Sequence, residues 1–569
     1  MSAAAALLKS MGARSRAPLG LSLGAAAASA LAGVAFAFVL ARVVDAVLFR
    51  RADLAASVGA LAGLAALAAL RAVLGSLADI AGFDAAATAR RALFERLLDH
   101  VFALGPVRLA DVSTGDLTAT LTEAVAAVEP YYRRWLPTLA TVAAAPLAIL
   151  ALVLPLDWES GLVLLGGLPL FLLFMVLVGK GAEKASSAQW ASLARLGGHL
   201  LDAVQGLRDL KLFRAAEREI AVVRAMADEY RRETMRVLRL AFLSALVLEF
   251  FATMSIALIA VLIGFRLLSG ELDFRTGFFI LLLAPQFYGP LRAMGAERHA
   301  RMEAVAAAER MAALLARAAP SAPRIVATAK GAASVRFENV CVRYGEREAL
   351  RDVTLDIAPG EHVALVGPSG AGKSSLFSVL LGFVAPSSGR VSIDGVDLAG
   401  SDAARPPIAY APQRAHVYDD SVAANVALGR SGDLAAALEA ARAKTIVDRL
   451  PNGADTIIGE SGQGVSGGEM QRLSIARAFF APAPLVLFDE PTAHLDADTE
   501  SAVGAAIDAF ARGRTMITIA HRLATIRKAD RIVVLEAGRI VEQGGHAALI
   551  ARGGVYAGMV AALESEAAQ

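Results

Sequence analysis

The stretch VALVGPSGAGKSSLFSVLLGFV at residues 363–384 decides the fold of the C-terminal part of the chain. In it, an apolar strand-like run is followed by GPSGAGKSS at 367–375 and then by a helix-like run. A phosphate-binding loop requires this context, because backbone N–H groups of the loop and the positive N-terminal end of the helix converge on the phosphates. The sequence therefore predicts an α/β P-loop domain that binds nucleotide phosphates together with Mg²⁺.

The residues of this loop have separate predicted tasks. Gly367 and Gly372 let the backbone approach the phosphates, Lys373 neutralises the β- and γ-phosphate oxygens, and Ser374 is placed to coordinate Mg²⁺. The other loop residues predicted to contact the nucleotide are Pro368, Ser369, Gly370, Ala371 and Ser375.

A second stretch, PLVLFDEPTAHLD at 484–496, predicts hydrolysis of the nucleotide. Its buried-strand run ends in Asp489 and Glu490, and an acid at the carboxyl end of a parallel strand adjoins the P-loop in such sheets. We expect Asp489 to hold Mg²⁺ through water. Glu490 is placed to polarise or deprotonate the attacking water.

A third stretch, VSGGEMQR at 465–472, offers another phosphate surface. Ser466, Gly467 and Gly468 precede a helix-like run, so small residues lie at a second helix N-terminus. One chain thus carries two predicted phosphate surfaces.

The N-terminal part of the chain has a different character. The 569 residues are 56% hydrophobic, which is too apolar for an ordinary soluble enzyme, and the long apolar runs all lie before about residue 290. Six runs are long enough to cross a ~30 Å hydrocarbon core as helices. Their approximate spans are 18–48, 54–82, 135–155, 160–179, 241–268 and 276–293.

Charge sets the expected orientation of these spans. Arg and Lys number six in 83–134 and twelve in 180–240, against three in all the short connections together, so both long loops and both termini are expected in the cytoplasm. The whole chain has 56 Lys+Arg and 54 Asp+Glu, which gives no support to nucleic-acid binding.

Each long loop is expected to form two helices of ~25 residues that extend the spans ~40 Å into the cytoplasm. STGDL at 113–117 and GLRDLKLFRAAERE at 206–219 lie at the turns of these arms. Each is either a short docking helix for the soluble domain or a solvated turn.

Two ionisable residues lie inside the apolar spans, away from their ends: Arg71 and Glu249. Charges at such depth are costly and often functional. Arg71 either lines a cavity that binds an anionic substrate or makes a structural contact, and Glu249 has the same two interpretations.

With Gln413 in YAPQR at 410–414 and His521 in TIAHR at 518–522, these features resemble the ATP-binding-cassette (ABC) exporter family over practically the whole chain. The resemblance implies an α-helical six-span transmembrane domain of the type-1 exporter fused to the P-loop domain. The expected domains are residues 1–320, a linker at 321–333 and the cassette at 334–569. The resemblance also implies a dimer, because in this family the P-loop of one cassette faces the SGG signature, residues 466–468 here, of another cassette across ATP.

The same resemblance implies roles for further residues. Tyr344 in VRYGEREAL would stack on adenine, Gln413 would sense Mg²⁺ and the γ-phosphate, and His521 would contact the γ-phosphate during hydrolysis. Asp496 would pass information between cassettes, and Glu460 would touch the docking helices.

A narrower resemblance, to the CydDC family of heterodimeric thiol exporters, rests on stretches 131–150, 281–300 and 491–496. It implies a CydC-like partner chain, export of cysteine and glutathione across the bacterial inner membrane, and support of cytochrome bd assembly. Haem has been proposed as a ligand in this family, but a single imidazole, His299, is more typical of a structural contact.

Two other classes of protein remain open from the sequence. One is a homodimeric lipid or drug exporter of the same architecture. The other is an ATP-gated channel or regulatory protein, which the intact hydrolytic residues disfavour.

Overall fold

The computed structural model describes residues 3–49, 54–319, 324–325, 331–398, 404–459, 464–480, 482–492, 497–520 and 522–567. The chain divides into two compact units. One comprises residues 1–99 and 114–317, and the other comprises residues 100–113 and 318–569.

Long helices make up the N-terminal part of the described chain. They are α1 (Ala3–Arg14), α2 (Arg16–Leu48), α3 (Leu54–Arg108, kinked at Gly105), α4 (Thr114–Ala119), α5 (Leu136–Leu156), α6 (Trp158–Gln205), α7 (Leu207–Leu212), α8 (Ala216–Leu268) and α9 (Phe274–Leu315). Two π-helical turns, Thr120–Ala124 and Tyr131–Trp135, lead into α5.

By length and composition, α2, α3, α5 and the end of α8 are able to cross a membrane, which makes four such single helices among the described residues. The other two expected spans, 160–179 and 276–293, fall inside α6 and α9. At 53 residues and about 1.5 Å per residue, α8 is roughly 80 Å long, far more than a bilayer core requires. The polar loops predicted to be helical arms are therefore continuous with the spans.

The core of the helical unit lies among α2, α5, α6, α8 and α9. Small residues of α2, such as Ala37 and Ala41, and large residues of α9, such as Phe287 and Tyr288, belong to this core, and all four are at most 2% exposed. Small side chains let long helices pack closely within an apolar span.

Short helices occupy both of the turns singled out from the sequence. α4 begins at Thr114, inside STGDL, and α7 lies inside 206–219. Their predicted docking role stays a prediction.

The second unit contains two main sheets. The strands of this unit are β1 (Arg324–Ile325), β2 (Val335–Tyr344), β3 (Arg347–Ile357), β4 (His362–Val366), β5 (Ser388–Ile393), β6 (Val396–Asp397), β7 (Ala404–Arg405), β8 (Ile408–Ala411), β9 (Asp420–Ser421), β10 (Ile457–Ile458), β11 (Leu485–Asp489), β12 (Thr515–Ile519), β13 (Arg531–Glu536) and β14 (Arg539–Gly544). A six-stranded sheet has the order β14-β13-β4-β12-β11-β8, parallel except for β14. A four-stranded antiparallel sheet has the order β3-β2-β5-β6.

Helices cover these sheets. They are α10 (Lys373–Leu380), α11 (Val422–Ala427), α12 (Leu434–Ala440), α13 (Lys444–Arg449), α14 (Gly467–Phe480), α15 (Ala497–Ala511), α16 (Leu523–Ile526), α17 (His546–Arg552) and α18 (Val555–Ala567), with a 3₁₀ turn at Gly453–Asp455. The apolar runs of β4, β11 and β12 are buried because helices cover both faces of a parallel sheet.

Candidate nucleotide-binding and hydrolysis site

Four neighbouring parallel strands end at one edge of the six-stranded sheet. β4 pairs with β12, β12 with β11, and β11 with β8, all in parallel register. Their carboxyl ends deliver the P-loop after β4, residue 520 after β12, Asp489 and Glu490 at β11, and Gln413 shortly after β8. Ligands of parallel α/β sheets bind at this kind of edge.

The P-loop has a backbone that only glycine allows at two positions. Gly367 has φ 149°, and a Cβ there would lie 2.1 Å from the carbonyl oxygen of Leu535. Gly372, which precedes α10, has φ 109°, and its Cβ would lie 2.7 Å from the carbonyl oxygen of Ala349. The predicted need for these glycines thus has a steric cause in this fold.

The Lys373 ammonium group lies over the loop. Its Nζ donates hydrogen bonds to the carbonyl oxygens of Gly367 at 2.6 Å and Pro368 at 3.1 Å. Burial lowers the pKa of Lys373, and the carboxylates of Glu490 and Asp489 oppose that shift. A buried cation beside two acids is suited to bind the charged oxygens of a nucleotide.

The acids at the end of β11 differ in environment. Burial and the neighbouring Glu490 together raise the pKa of Asp489 to about 6, against the opposing effect of Lys373. Glu490 adopts φ 46°, a left-handed conformation rare for a residue with a side chain, and its N–H donates to the carbonyl oxygen of Ile519 at 3.1 Å. Glu490 also lines a cavity of about 110 Å³ with Arg522 and Ala520.

Three side chains at this edge carry oxygen atoms suited to coordinate Mg²⁺. Ser374 is exposed at the start of α10, Asp489 is partly buried, and Gln413 is exposed just beyond β8. Hydroxyl, carboxylate and amide oxygens are the ligands this ion prefers. When bound, the ion would neutralise charge on the nucleotide phosphates, while Lys373 orients them.

Arg347, which no sequence motif indicated, lies next to both Tyr344 and the P-loop. Tyr344 pairs with Arg347 across the β2–β3 hairpin and packs against the core beneath. A Cβ on Gly370 would lie 3.4 Å from Nη2 of Arg347, so this guanidinium lies beside the P-loop. Arg347 lies outside the stretch GPSGAGKSS, so no local sequence pattern predicted this contact.

The signature residues form an N-terminal cap on α14. The N–H of Ser466 donates to Glu469 Oε2 at 2.7 Å, and the N–H of Glu469 donates to Ser466 Oγ at 3.3 Å, which is a capping box. Glu469 also accepts a hydrogen bond from Arg449, at 2.7 Å. Gly467 is exposed and Gly468 partly so, leaving their backbone accessible.

The two predicted phosphate surfaces are built on different cores. The helix after the P-loop packs into a cluster with Leu376 and Phe377, while the signature helix packs into another with Leu473 and Phe479. Gln471 on the signature helix donates to the carbonyl oxygen of Pro412 at 3.2 Å, which ties this helix to the segment holding Gln413.

Three residues with predicted roles, His521, Glu460 and Asp496, lie outside the described residues. β12 leads towards His521, since the described chain reaches Ala520 just after that strand ends.

A polar cluster lies inside the apolar spans of the helical unit. A Cβ on the buried Gly33 would lie 2.8 Å from Oε1 of Gln286 and 3.4 Å from Cζ and Nη1 of Arg71, so a glycine is needed to admit both side chains. Gln286 also donates to the carbonyl oxygen of Gly33 at 3.3 Å. Among the described residues, the Arg71 guanidinium has no ion-pair or hydrogen-bond partner.

Glu249, the other intramembrane charge, has a different environment. It forms an ion pair with Arg292 on α9. This pair supports the structural interpretation of Glu249, because two opposite charges in contact cost less in an apolar span than either charge alone.

Helices long enough to cross a membrane and a P-loop at the edge of a parallel sheet, in one chain, are typical of an ATP-driven membrane transporter. Residues 19–291 match the ABC transporter transmembrane region and residues 350–493 match the ABC transporter family. The chain belongs to the ABC transporter family and is an integral membrane protein with a cytoplasmic, ATP-hydrolysing cassette.

Within that family, particular relatives are similar over most of their length. The chain is 35% identical over 508 residues to the glutathione/L-cysteine transport system ATP-binding/permease protein CydD of Escherichia coli (strain K12), covering 86% of each chain. It is 30% identical over 494 residues to the corresponding CydC of Bacillus subtilis (strain 168), covering 85% and 86%. It is 34% identical to an ATP-dependent lipid A-core flippase of Thiobacillus denitrificans, covering 82% of each.

A solved structure confirms the predicted fold class. A bacterial Atm1-family ABC exporter with ATP bound superposes with a TM-score of 0.82 at 27% identity, covering 97% of this chain and 98% of that one. The prediction of a six-span type-1 exporter fold joined to an α/β cassette is therefore confirmed.

Proposed function

We propose that this chain is the CydD-like half of a heterodimeric exporter that carries cysteine and glutathione out of the cytoplasm and supports cytochrome bd assembly. The observation that carries the proposal is the 35% identity with a glutathione/L-cysteine transport protein over 86% of both chains. The similarity to CydC supports a CydC-like partner, and the expected membrane is the bacterial inner membrane.

ATP hydrolysis at the sheet edge drives the proposed cycle. Lys373 and the P-loop backbone bind the phosphates, and Glu490 takes the proton of the attacking water. Ser374 and Gln413, with Asp489 through water, would hold Mg²⁺, which would neutralise phosphate charge. Tyr344 stacks on the adenine. The expected domains are residues 1–320, a linker at 321–333 and 334–569.

Alternating access follows from two states of the cassette pair. Ser466, Gly467 and Gly468 of one cassette would close on ATP held by another, and His521 would contact the γ-phosphate. ATP favours the closed state by its differential affinity, and hydrolysis releases it. The arms carry this change to the spans.

The first test is purification of the chain at native expression, followed by identification of any second ABC chain and its stoichiometry. We expect a distinct partner at 1:1. Uptake of cysteine and glutathione into inverted membrane vesicles then tests transport. Absence of ATP-dependent uptake of either thiol by the purified pair overturns the proposal.

A second candidate is a homodimeric lipid exporter, which the similarity to lipid A-core flippases supports. A homodimer whose ATP hydrolysis is stimulated by lipid and not by thiols would favour it. The gated-channel alternative predicts passive flux at fixed ATP occupancy instead of uptake against a gradient.

A further inference from the structure

A cavity of about 560 Å³ lies in the helical unit, away from the nucleotide site. Its walls come from α1, the start of α2, the π-helical turn Tyr131–Trp135 with the start of α5, and α9. A volume of this size is in the range of small-molecule sites.

The charged residues that line the cavity all have one sign. They are Lys9, Arg16 and Arg301, and no Asp or Glu is among the described residues of its walls. All three residues are exposed, so a ligand from solvent or membrane has access to them. Leu8 and other apolar residues form the rest of the wall, and a ligand here would be anionic at one end and apolar at the other.

The wall is held in place by specific contacts. The Tyr132 hydroxyl, fully buried, donates a 2.5 Å hydrogen bond to the carbonyl oxygen of Leu8 and so ties α1 to the π-helical turn. The Arg301 guanidinium lies 5.7 Å from the centre of the Trp135 ring, a cation–π contact. The cations are thus attached to a shaped surface and not to a loose terminus.

The position of the cavity along the chain gives its depth. α1 directly precedes the first span, and the basic residues of the long loops and the N-terminus place this end on the cytoplasmic side. Tyr, Lys and Arg are enriched at that headgroup level, where anionic phospholipids attract basic residues.

We propose that this cavity binds one anionic phospholipid of the cytoplasmic leaflet. Lys9, Arg16 and Arg301 contact the headgroup phosphate, and the acyl chain follows the apolar wall formed by Leu8 and its neighbours. A lipid fits better than free phosphate because most of the lining is apolar and the volume exceeds what one phosphate group fills. A bound lipid would join α1 to α9.

The test uses the full-length transporter with its native partner, purified in mild detergent and analysed by native mass spectrometry. We expect retained phosphatidylglycerol on the unaltered protein, and about 100-fold weaker retention after Lys9→Gln, Arg16→Gln and Arg301→Gln together. Arg14→Gln is the matched control. Arg14 is an exposed cation on α1, like Lys9, but its side chain does not line the cavity. Equal retention by the triple variant, or equal loss in the control, overturns the proposal.

A second measurement does not depend on the variant. Short-chain phosphatidylglycerol, short-chain phosphatidylcholine and inorganic phosphate are each added to the delipidated protein, and the thermal midpoint is followed. The proposal requires a rise with phosphatidylglycerol only. An equal rise of the thermal midpoint with inorganic phosphate would show that the cavity binds a free anion. An equal rise with phosphatidylcholine would show that the cations do not select the lipid. Either result contradicts the proposal.

Discussion

Arg449 donates a 2.7 Å hydrogen bond to Glu469, the acidic residue of the signature VSGGEMQR. Glu469 lies in the first turn of α14 and Arg449 in the last turn of α13. Burial opposes ionisation of Glu469, but the N–H of Ser466 and Arg449 outweigh it and hold its pKa below the usual value. Glu469 is therefore a compensated anion at a surface proposed to receive ATP phosphate.

Arg449→Gln should weaken ATP use without abolishing hydrolysis. Glu469 is buried and keeps its hydrogen bond from the N–H of Ser466, so loss of Arg449 leaves an unpaired negative charge near the incoming phosphate. That charge costs about 1 kcal/mol, and we expect the KM for ATP to rise about 5-fold with a smaller change in kcat. Steady-state ATPase assays on the full transporter measure this.

The rescue experiment separates charge from packing. Glu469→Gln added to Arg449→Gln removes the unpaired charge and should restore the KM, because glutamine still accepts the hydrogen bond from Ser466. If the double variant is no better than Arg449→Gln alone, charge compensation is not the role of Arg449.

Glu490→Gln should retain ATP binding and lose hydrolysis by about 10²–10⁴-fold, because glutamine cannot accept the proton of the attacking water. Trapping of ATP in a closed cassette pair, followed with labelled nucleotide, and phosphate release measure the two effects. The matched control is Glu338→Gln, an exposed acid of the same unit, which should be unaltered. Near-normal hydrolysis by Glu490→Gln, in a pair whose other site is inactive, would show that another group acts as base.

The parts of this site that are local in the chain are predictable from the sequence. The P-loop and the Asp489–Glu490 pair each lie at a strand end within a short stretch, and parallel pairing alone brings such ends to one edge. Arg347 beside Gly370 and Arg449 beside Glu469 could not be found in this way. Each depends on which surfaces the folded chain brings together, and a single sequence carries no signal for that.

In the membrane half, too, local features are predictable from the sequence and long-range contacts are not. Long apolar runs predicted the spans, and polar, helix-patterned stretches predicted the arms, because length, hydrophobicity and patterning are local properties. The contacts among Gly33, Arg71 and Gln286 join residues up to 253 positions apart. The partner of Glu249 was likewise left open by the sequence and is Arg292 in the structure.

The raised pKa of Asp489 predicts a pH-dependent stability of the nucleotide-free, Mg²⁺-free protein. The folded protein keeps this proton up to about pH 6, whereas the ordinary value is 3.8, so the folded state binds more protons between these values. Stability from this group is present below about pH 4 and is lost as pH rises through about 6. Asp489→Asn should remove that loss.

The expected gain of Asp489→Asn at pH 7 is about 1–2 kcal/mol after allowing for partial exposure of the carboxyl group. Thermal midpoints of the unaltered and variant proteins from pH 4.5 to 7.5 measure it, and their difference should widen towards pH 7. Asp448→Asn, at an exposed position, is the control. A constant difference across this range contradicts the prediction.

Arg266→Gln should destabilise the helical unit. Arg266 on α8 pairs at 2.5 Å with Asp157, whose side chain is 0% exposed in the connection between α5 and α6. Removing the cation leaves a buried, uncompensated carboxylate, at a cost of about 2–4 kcal/mol. The thermal midpoint in detergent should fall, and adding Asp157→Asn should recover part of the loss. Glu271→Gln, which removes an exposed and distant partner of Arg266 at 3.8 Å, should change little.

Arg71 is the intramembrane cation expected to select the substrate. A lone guanidinium facing lipid costs about 2.5–3.5 kcal/mol or more, so an exposed Arg71 without a partner among the described residues is best explained by a water-filled pathway. Cysteine and glutathione both carry a carboxylate that this group would bind, with the Gln286 amide beside it. Arg71→Gln should then raise the KM for cysteine about 10–100-fold.

Cysteamine distinguishes this role from a general loss of function, because it keeps the thiol of cysteine and lacks the carboxylate. Inverted vesicles with the unaltered protein should take up cysteamine poorly. Arg71→Gln should leave cysteamine uptake unchanged and should lower cysteine uptake to the level of cysteamine uptake. Arg71→Lys, which keeps the charge but not the two-pronged geometry, should lie between. The joint variant Glu249→Gln with Arg292→Gln removes a matched pair of intramembrane charges and should preserve the preference for cysteine. Equal loss of cysteine and cysteamine uptake in Arg71→Gln would make Arg71 a structural residue, whereas failure of the unaltered protein to transport either thiol would reject thiol export itself.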